Sequence, residues 1–316
     1  MISRRLLRVK VMQVYYAQTE KEINKLENAL NELERSAGAS LELYFFLNCL
    51  LLCFRDLEEE RLEIASNKLV PTEEDLHPNT LFADNLVLKK LTANRQIQHY
   101  YKTDVFNLHE NKEILKRLWS RIRESAYFRQ YLEADDKGIK ATKKIVTDIL
   151  ELEISVNEEI EQLIEEKNIY WNDDLEFIIS ILIRNIRAIK VADDYQNEKV
   201  ELYQNSDDRQ FGVELLKSVL LKRDTYDAII SRHILNWELE RVAIIDRLLI
   251  HMAMAEFFDM PSIPARVTIN EYIELAKFYS TEKSSMFING ILEKVYVDQK
   301  KQGNIHKIGR GLVGDI

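Results

Sequence analysis

Apolar residues recur at helical spacing almost everywhere along this chain, and no stretch alternates with the two-residue period of a half-buried strand. The first predicted helix runs from Ser3 to about Gln18, with Leu7, Val11 and Val14 as its buried stripe. Further helices are expected over Glu22–Glu34, Leu41–Ser66, Lys112–Glu133, Ala141–Lys167 and Leu175–Ala192. Val70–Pro78, with its two prolines, reads as a loop, and Asp135-Asp-Lys-Gly138 breaks the chain again. From Phe211 the pattern is regular: one or two helices to Ile234, another over Leu239–Phe257, then the loop Asp259–Pro264. The next helix is expected to start near Thr268, with Glu271 completing a capping box, although Asn270 competes as the cap. Phe278–Lys283 is a break, Ser284–Tyr296 the last helix, and the tail from Asp298 is expected to fray.

Composition narrows the class. With 46% hydrophobic and 31% charged residues the balance is that of a soluble globular protein, and only 8 glycines and 4 prolines leave room for few turns and long helices. A net charge of −9 argues against broad, nonspecific nucleic-acid binding, so any basic patch must be local. Cys49 and Cys53 share one face of an apolar run, Tyr44–Phe54, and read as reduced, buried thiols without the further ligands a zinc site needs. That run is too short for a membrane span of about twenty residues. No signal peptide is evident, so the chain reads as cytoplasmic, with no membrane partner.

One local field is positive. No acidic residue precedes Glu20, and at ~100° per residue Arg4, Arg5, Arg8, Tyr15 and Tyr16 fall in one arc away from Leu7, Val11 and Val14. Guanidinium groups can fork onto phosphates and tyrosine rings can stack on unpaired bases. An ordinary solvated face is the plainer reading of the helix by itself. Lys10 falls on the opposite side. The six histidines are scattered without metal-ligand spacing, no serine or cysteine sits in a nucleophile motif, and Gly309–Gly314 lacks the ending of a phosphate loop. These patterns offer neither a catalytic centre nor a cofactor site.

The densest signature runs from Trp237-Glu-Leu-Glu-Arg241 through Ile245-Asp246-Arg247, Ile263-Pro264, Ile269-Asn270-Glu271 and Glu274-Leu-Ala-Lys277 to Phe287-Ile-Asn-Gly290. Leu239–Leu292 resembles the second half of NusB, the bacterial transcription antitermination family, and Ser3–Tyr16 is similar to that family's first helix, with Gln13 and Tyr16 in its Gln-x-x-Tyr pattern. The resemblance implies an all-α fold, here a NusB-like helical bundle interrupted by a large additional helical segment. Residues 1–20 and 206–298 would form the core, 21–205 the insert and 299–316 a flexible tail. It implies a non-enzymatic RNA-binding factor that pairs with the ribosomal protein NusE. The pair would bind boxA-like single-stranded RNA in nascent rRNA transcripts and join an RNA polymerase antitermination complex.

The implied RNA-binding residues are Arg4, Arg5, Arg8, Tyr15, Tyr16 and Lys283, the last standing where the family commonly has an aspartate. The implied partner-binding residues are Glu240 and Asp246. A NusB-like domain also begins some ribosomal-RNA cytosine methyltransferases, whose further α/β domain and cysteine motif have no counterpart in these 316 residues. The alternative is a NusB-like scaffold or protein-interaction module without RNA binding.

Overall fold

The computed structural model describes residues 1–19, 26–134, 138–191, 195–234 and 241–313, and every regular element among them is helical. By chain contacts it divides into two compact units, one comprising Met1 with Gly38–Leu202 and the other Ile2–Ala37 with Tyr203–Ile316.

Helix α1 (Arg4–Thr19) starts where the Ser3 hydroxyl accepts the Leu6 amide. Helix α2 (Leu26–Ser66) is one continuous element where two were expected. Its Ser36-Ala-Gly-Ala-Ser40 stretch reads as a break in the apolar pattern, but one glycine inside a helix costs only about 1 kcal/mol. The small side chains of Ser36, Ala37, Ala39 and Ser40 are all buried, so packing holds the helix through it.

The first unit is built on the second part of α2. Around it lie α3 (Glu73–Leu76), α4 (Leu86–Ala93), α5 (Arg95–Lys102), α6 (Lys112–Glu124), α7 (Ala126–Glu133), α8 (Ile139–Ile149), α9 (Glu158–Lys167) and α10 (Leu175–Ala188). The expected 112–133 helix is cut by Ser125, which turns to extended backbone and caps α7 through the Phe128 amide. The 141–167 helix is divided by a π-helical turn at Leu150–Ile154 and by Asn157, which caps α9. Asn85 and Asn94 start α4 and α5, neither of which the apolar pattern announces.

Aromatic residues fill this unit. Trp119 stacks against Phe82 at 4.7 Å and Phe54 at 5.7 Å, while its indole donates to Glu58. Trp171 packs on Phe46 and donates to the Ala39 carbonyl. Contrary to the sequence reading, α2 is long and apolar enough to cross a membrane by length and composition, with a mean hydropathy of 1.7 over its most apolar window. That window is 78% buried inside the protein, which accounts for its apolarity. Cys49 and Cys53 are free thiols on it, and burial pushes the Cys53 thiol up to about 12.

The second unit combines α1 and the start of α2 with α11 (Ser206–Leu221), α12 (Arg223–His233), α13 (Ile244–Asp259), α14 (Ala265–Tyr279) and α15 (Ser284–Lys301). Helix α13 is its centre, buried on all sides from Leu248 to Phe257. Helix α1 packs against α11 and α13, and it buries far more than one stripe: Leu6, Val9, Met12 and Tyr15 join Leu7, Val11 and Val14. A helix surrounded in this way is buried on several faces, with Arg8 and Lys10 among its covered residues, which a single-stripe reading misses.

Two expectations fail here. Helix α14 begins at Ala265 directly after Pro264, so Thr268 and Glu271 form no capping box and Asn270 is no cap. The tail does not fray over 304–313. Ile305 is buried, the Ile308 amide donates to the Pro261 carbonyl at 3.1 Å, and the Lys307 ammonium donates to the Glu256 and Met260 carbonyls at the end of α13.

Candidate nucleic-acid interface

A polar network buried under α1 sets the geometry of the candidate site. The Arg8 guanidinium donates to both Glu256 oxygens, at 2.6 and 2.9 Å, and Glu256 also accepts from the Thr268 hydroxyl at 3.0 Å and the Tyr272 hydroxyl at 2.7 Å. Arg8 is 3% exposed and Glu256, Thr268 and Tyr272 fully buried. Burial alone would lower the Arg8 pKa, but the charge and hydrogen bonds of Glu256 outweigh it and raise it. The placement of Arg8 on an exposed arc is therefore corrected. It faces the core because α13 supplies a carboxylate that takes both arms of its fork, and two α14 hydroxyls complete that carboxylate's own hydrogen bonds.

Tyr15 is also corrected. It is 1% exposed, its hydroxyl lies 2.8 Å from His251 Nδ1, and His251 Nε2 lies 2.9 Å from Asp227, which Arg247 clamps through two hydrogen bonds. One tautomer satisfies the chain of contacts: His251 Nε2–H donates to the carboxylate and Nδ1 accepts from Tyr15. Burial pushes His251 below the usual His value, with Asp227 opposing only in part. Burial would raise Asp227, but its bonds to His251 and Arg247 outweigh it and hold it at about 2. The unfolded chain binds a proton on His251 near pH ~6.5 and the folded chain does not.

Stability of this unit is therefore fully present above pH ~6.5 and falls on acidification toward the lower folded value, by up to ~1.4 kcal/mol per pH unit. Thermal melts of wild type and His251→Gln across this window check it. Equal pH slopes for the two proteins would refute the neutral, buried assignment.

Arg4, Arg5, Tyr16 and Lys283 do reach solvent. The Arg4 side chain is 40% exposed beside Asp208 at 2.9 Å, and that of Arg5 is 45% exposed and forks onto Glu271 at 2.9 and 2.7 Å. Burial would raise Glu271, but the Arg5 hydrogen bond and the charges of Arg8 and Arg5 lower it. Tyr16 is 41% exposed, and Lys283, exposed ahead of α15, makes no ion pair among the described residues. Along α13 the contacts of α1 run from Glu256, at Arg8, to His251, at Tyr15. Arg8 contacts α13 at Glu256, whereas the turn bearing Lys283 is tied to α13 at Asp246, ten residues away or ~15 Å along the helix.

Of the two partner-binding candidates, Glu240 lies outside the described residues. Asp246 is 6% exposed and accepts from the Ser280 and Ser284 hydroxyls at 2.6 and 2.8 Å, so its carboxylate is not an open surface charge. The apolar residues Phe278 and Met286, 71% and 72% exposed on either side of Lys283, were not singled out by spacing. Nor was Arg310, which lines a cleft of about 490 Å³ together with Arg4 and Arg5.

The NusB family profile matches residues 175–297. The transcription antitermination protein NusB of Chloroherpeton thalassium is 47% identical over 105 residues, 33% of this chain and 50% of that protein. The protein of the same name from Salinibacter ruber is 39% identical over 116 residues, 37% of this chain and 72% of the relative. That from Bacillus pumilus is 39% identical over 92 residues, 29% and 70% of the two chains. A solved structure of T. maritima NusB aligns over 44% of this chain and 85% of its own at 25% identity, with a TM-score of 0.29.

Proposed function

This chain belongs to the NusB family, and on that premise we propose that it is an RNA-binding transcription antitermination factor. Its ligand would be a boxA-like single strand in nascent rRNA, bound together with the ribosomal protein NusE within an RNA polymerase antitermination complex. The match spans half the length of the Chloroherpeton relative, so activity and partners are argued from the chain itself.

The observation that carries the reading is the solvent-exposed pair Arg4 and Arg5 on α1, with Tyr16 exposed further along the same helix. The guanidinium ends of both pairs reach solvent, at 40% and 45% exposure, while their carboxylate partners Asp208 and Glu271 are largely covered, at 11% and 18%. The solvent-facing side of each guanidinium can therefore take a phosphate while its carboxylate partner stays in place. Tyr16 offers a ring face to an unpaired base, and Lys283, exposed ahead of α15 and in no ion pair among the described residues, offers a cation to the same strand further on. Asp246 is held by two hydroxyls, so its carboxylate offers a partner little open charge.

The test is a titration of a fluorescein-labelled boxA-like single strand followed by anisotropy. Arg4→Gln/Arg5→Gln should weaken binding about tenfold per lost phosphate contact, or ~1.4 kcal/mol each, and flatten the salt slope by ~0.7 per contact. The melting temperature should stay close to that of wild type. Unchanged affinity would remove α1 from the RNA face, and a wild-type protein that binds no single strand would leave the scaffold reading in its place.

A further inference from the structure

The segment 304–313 follows the family match, which ends at residue 297, yet it is docked with specificity on the second unit. Gly311 shows how close that docking is. A Cβ there would stand 1.9 Å from the Pro261 carbonyl oxygen, so no side chain fits. The docked segment brings Arg310 and Val313 to the cleft whose other walls include Arg4, Arg5, Pro264 and Val267.

We propose that residues 304–313 complete a nucleotide-sized subsite for single-stranded RNA, with Arg310 on a phosphate and Val267, Pro264 and Val313 against the base or ribose. The inference rests on the RNA-binding reading and extends it to a segment outside the family match. Three observations carry it. The first is charge. Arg4, Arg5 and Arg8 are each matched by Asp208, Glu271 and Glu256, whereas Arg310 is exposed and makes no ion pair among the described residues, so the cleft has an uncompensated cation on a chain of net charge −9. The second is chemistry. Guanidinium groups beside an apolar wall suit a ligand that is anionic on one side and flat and apolar on the other, which describes an unstacked nucleotide. The third is size. About 490 Å³ lies in the ~300–1,000 Å³ range of small-ligand clefts.

The experiment uses the full chain and the labelled boxA-like strand of the titration above, with Arg310→Glu, Arg310→Lys and Gly311→Ala. Arg310→Glu should raise Kd about tenfold or more and flatten the salt slope by ~0.7. Arg310→Lys should recover most of the affinity. Gly311→Ala keeps every charge but undocks the segment, so it should weaken binding to the extent that Arg310→Glu does. Arg310 is exposed, so thermal melts of its variants should match wild type and exclude misfolding as the cause. If wild type binds the strand while Arg310→Glu and Gly311→Ala retain its Kd and salt slope, the subsite is refuted and the RNA reading stands. If wild type binds no single strand, both fall. If instead a polyglutamate peptide binds in an Arg310-dependent way and RNA does not, the cleft is a protein site and the proposal is overturned.

Discussion

Glu256→Ala should destabilise the second unit by about 3–5 kcal/mol, the range found when one partner of a buried ion pair is removed. The loss comes from what is left behind. Arg8, at 3% exposure, loses both hydrogen bonds to a carboxylate and keeps only the more distant Glu271, at 3.5 Å, and the buried Thr268 and Tyr272 hydroxyls lose their acceptor as well. Total stabilities are ~5–15 kcal/mol, so this single change consumes a large share. At ~2–4 °C per kcal/mol for a unit of this size, the melting temperature should fall by roughly 10 °C. Arg8→Met/Glu256→Leu should recover much of the loss, because an apolar pair of similar volume carries no desolvated charge.

Circular-dichroism melts of the single and double variants measure this. A loss under ~1 kcal/mol for Glu256→Ala would mean that the network is hydrated and weak. The double variant also separates two roles for Arg8. If it retains the affinity of wild type for single-stranded RNA, Arg8 holds α1 in place and touches no phosphate.

The helical class and the signature between Trp237 and Gly290 were legible because both rest on local spacing, and α1 was placed within a residue of its observed start. What spacing could not supply was the number of neighbours each helix has. The wheel of α1 put Arg8 and Tyr15 outside because it assumed one buried stripe, whereas Glu256 and His251 on α13 give both polar side chains satisfied positions inside. Thr268 and Glu271 imitate a capping box in sequence. Pro264 starts the helix earlier, which frees the Thr268 hydroxyl for Glu256 and Glu271 for Arg5. A local rule was overridden by a tertiary acceptor in each case. Arg310 escaped notice because the polar, glycine-rich tail looked like a fraying end. The one clue was Gly311, which is needed for close approach to Pro261, a contact invisible without the fold.

Asp246→Lys should behave as a folding variant, and it should lower stability by about 3 kcal/mol. The carboxylate sits in the first turn of α13, where the helix dipole favours an anion, and it accepts both the Ser280 and Ser284 hydroxyls. Lysine would put a cation at that positive helix end, 6% exposed, and leave two hydroxyls without their acceptor. Those hydroxyls fix the turn from α14 to α15, and Lys283 stands in that turn immediately ahead of α15. The variant should therefore lose heterodimer affinity and RNA affinity together, in step with the melting of the turn. Asp246→Asn keeps one carbonyl acceptor in place and should cost only about 1 kcal/mol. Calorimetry with NusE, RNA anisotropy and thermal melts on the same preparations decide the matter. A variant with the melting temperature of wild type and intact RNA binding, but no affinity for NusE, would make Asp246 an interface residue and overturn its structural role. Parallel loss of all three is the outcome expected of a residue that holds the α14–α15 turn.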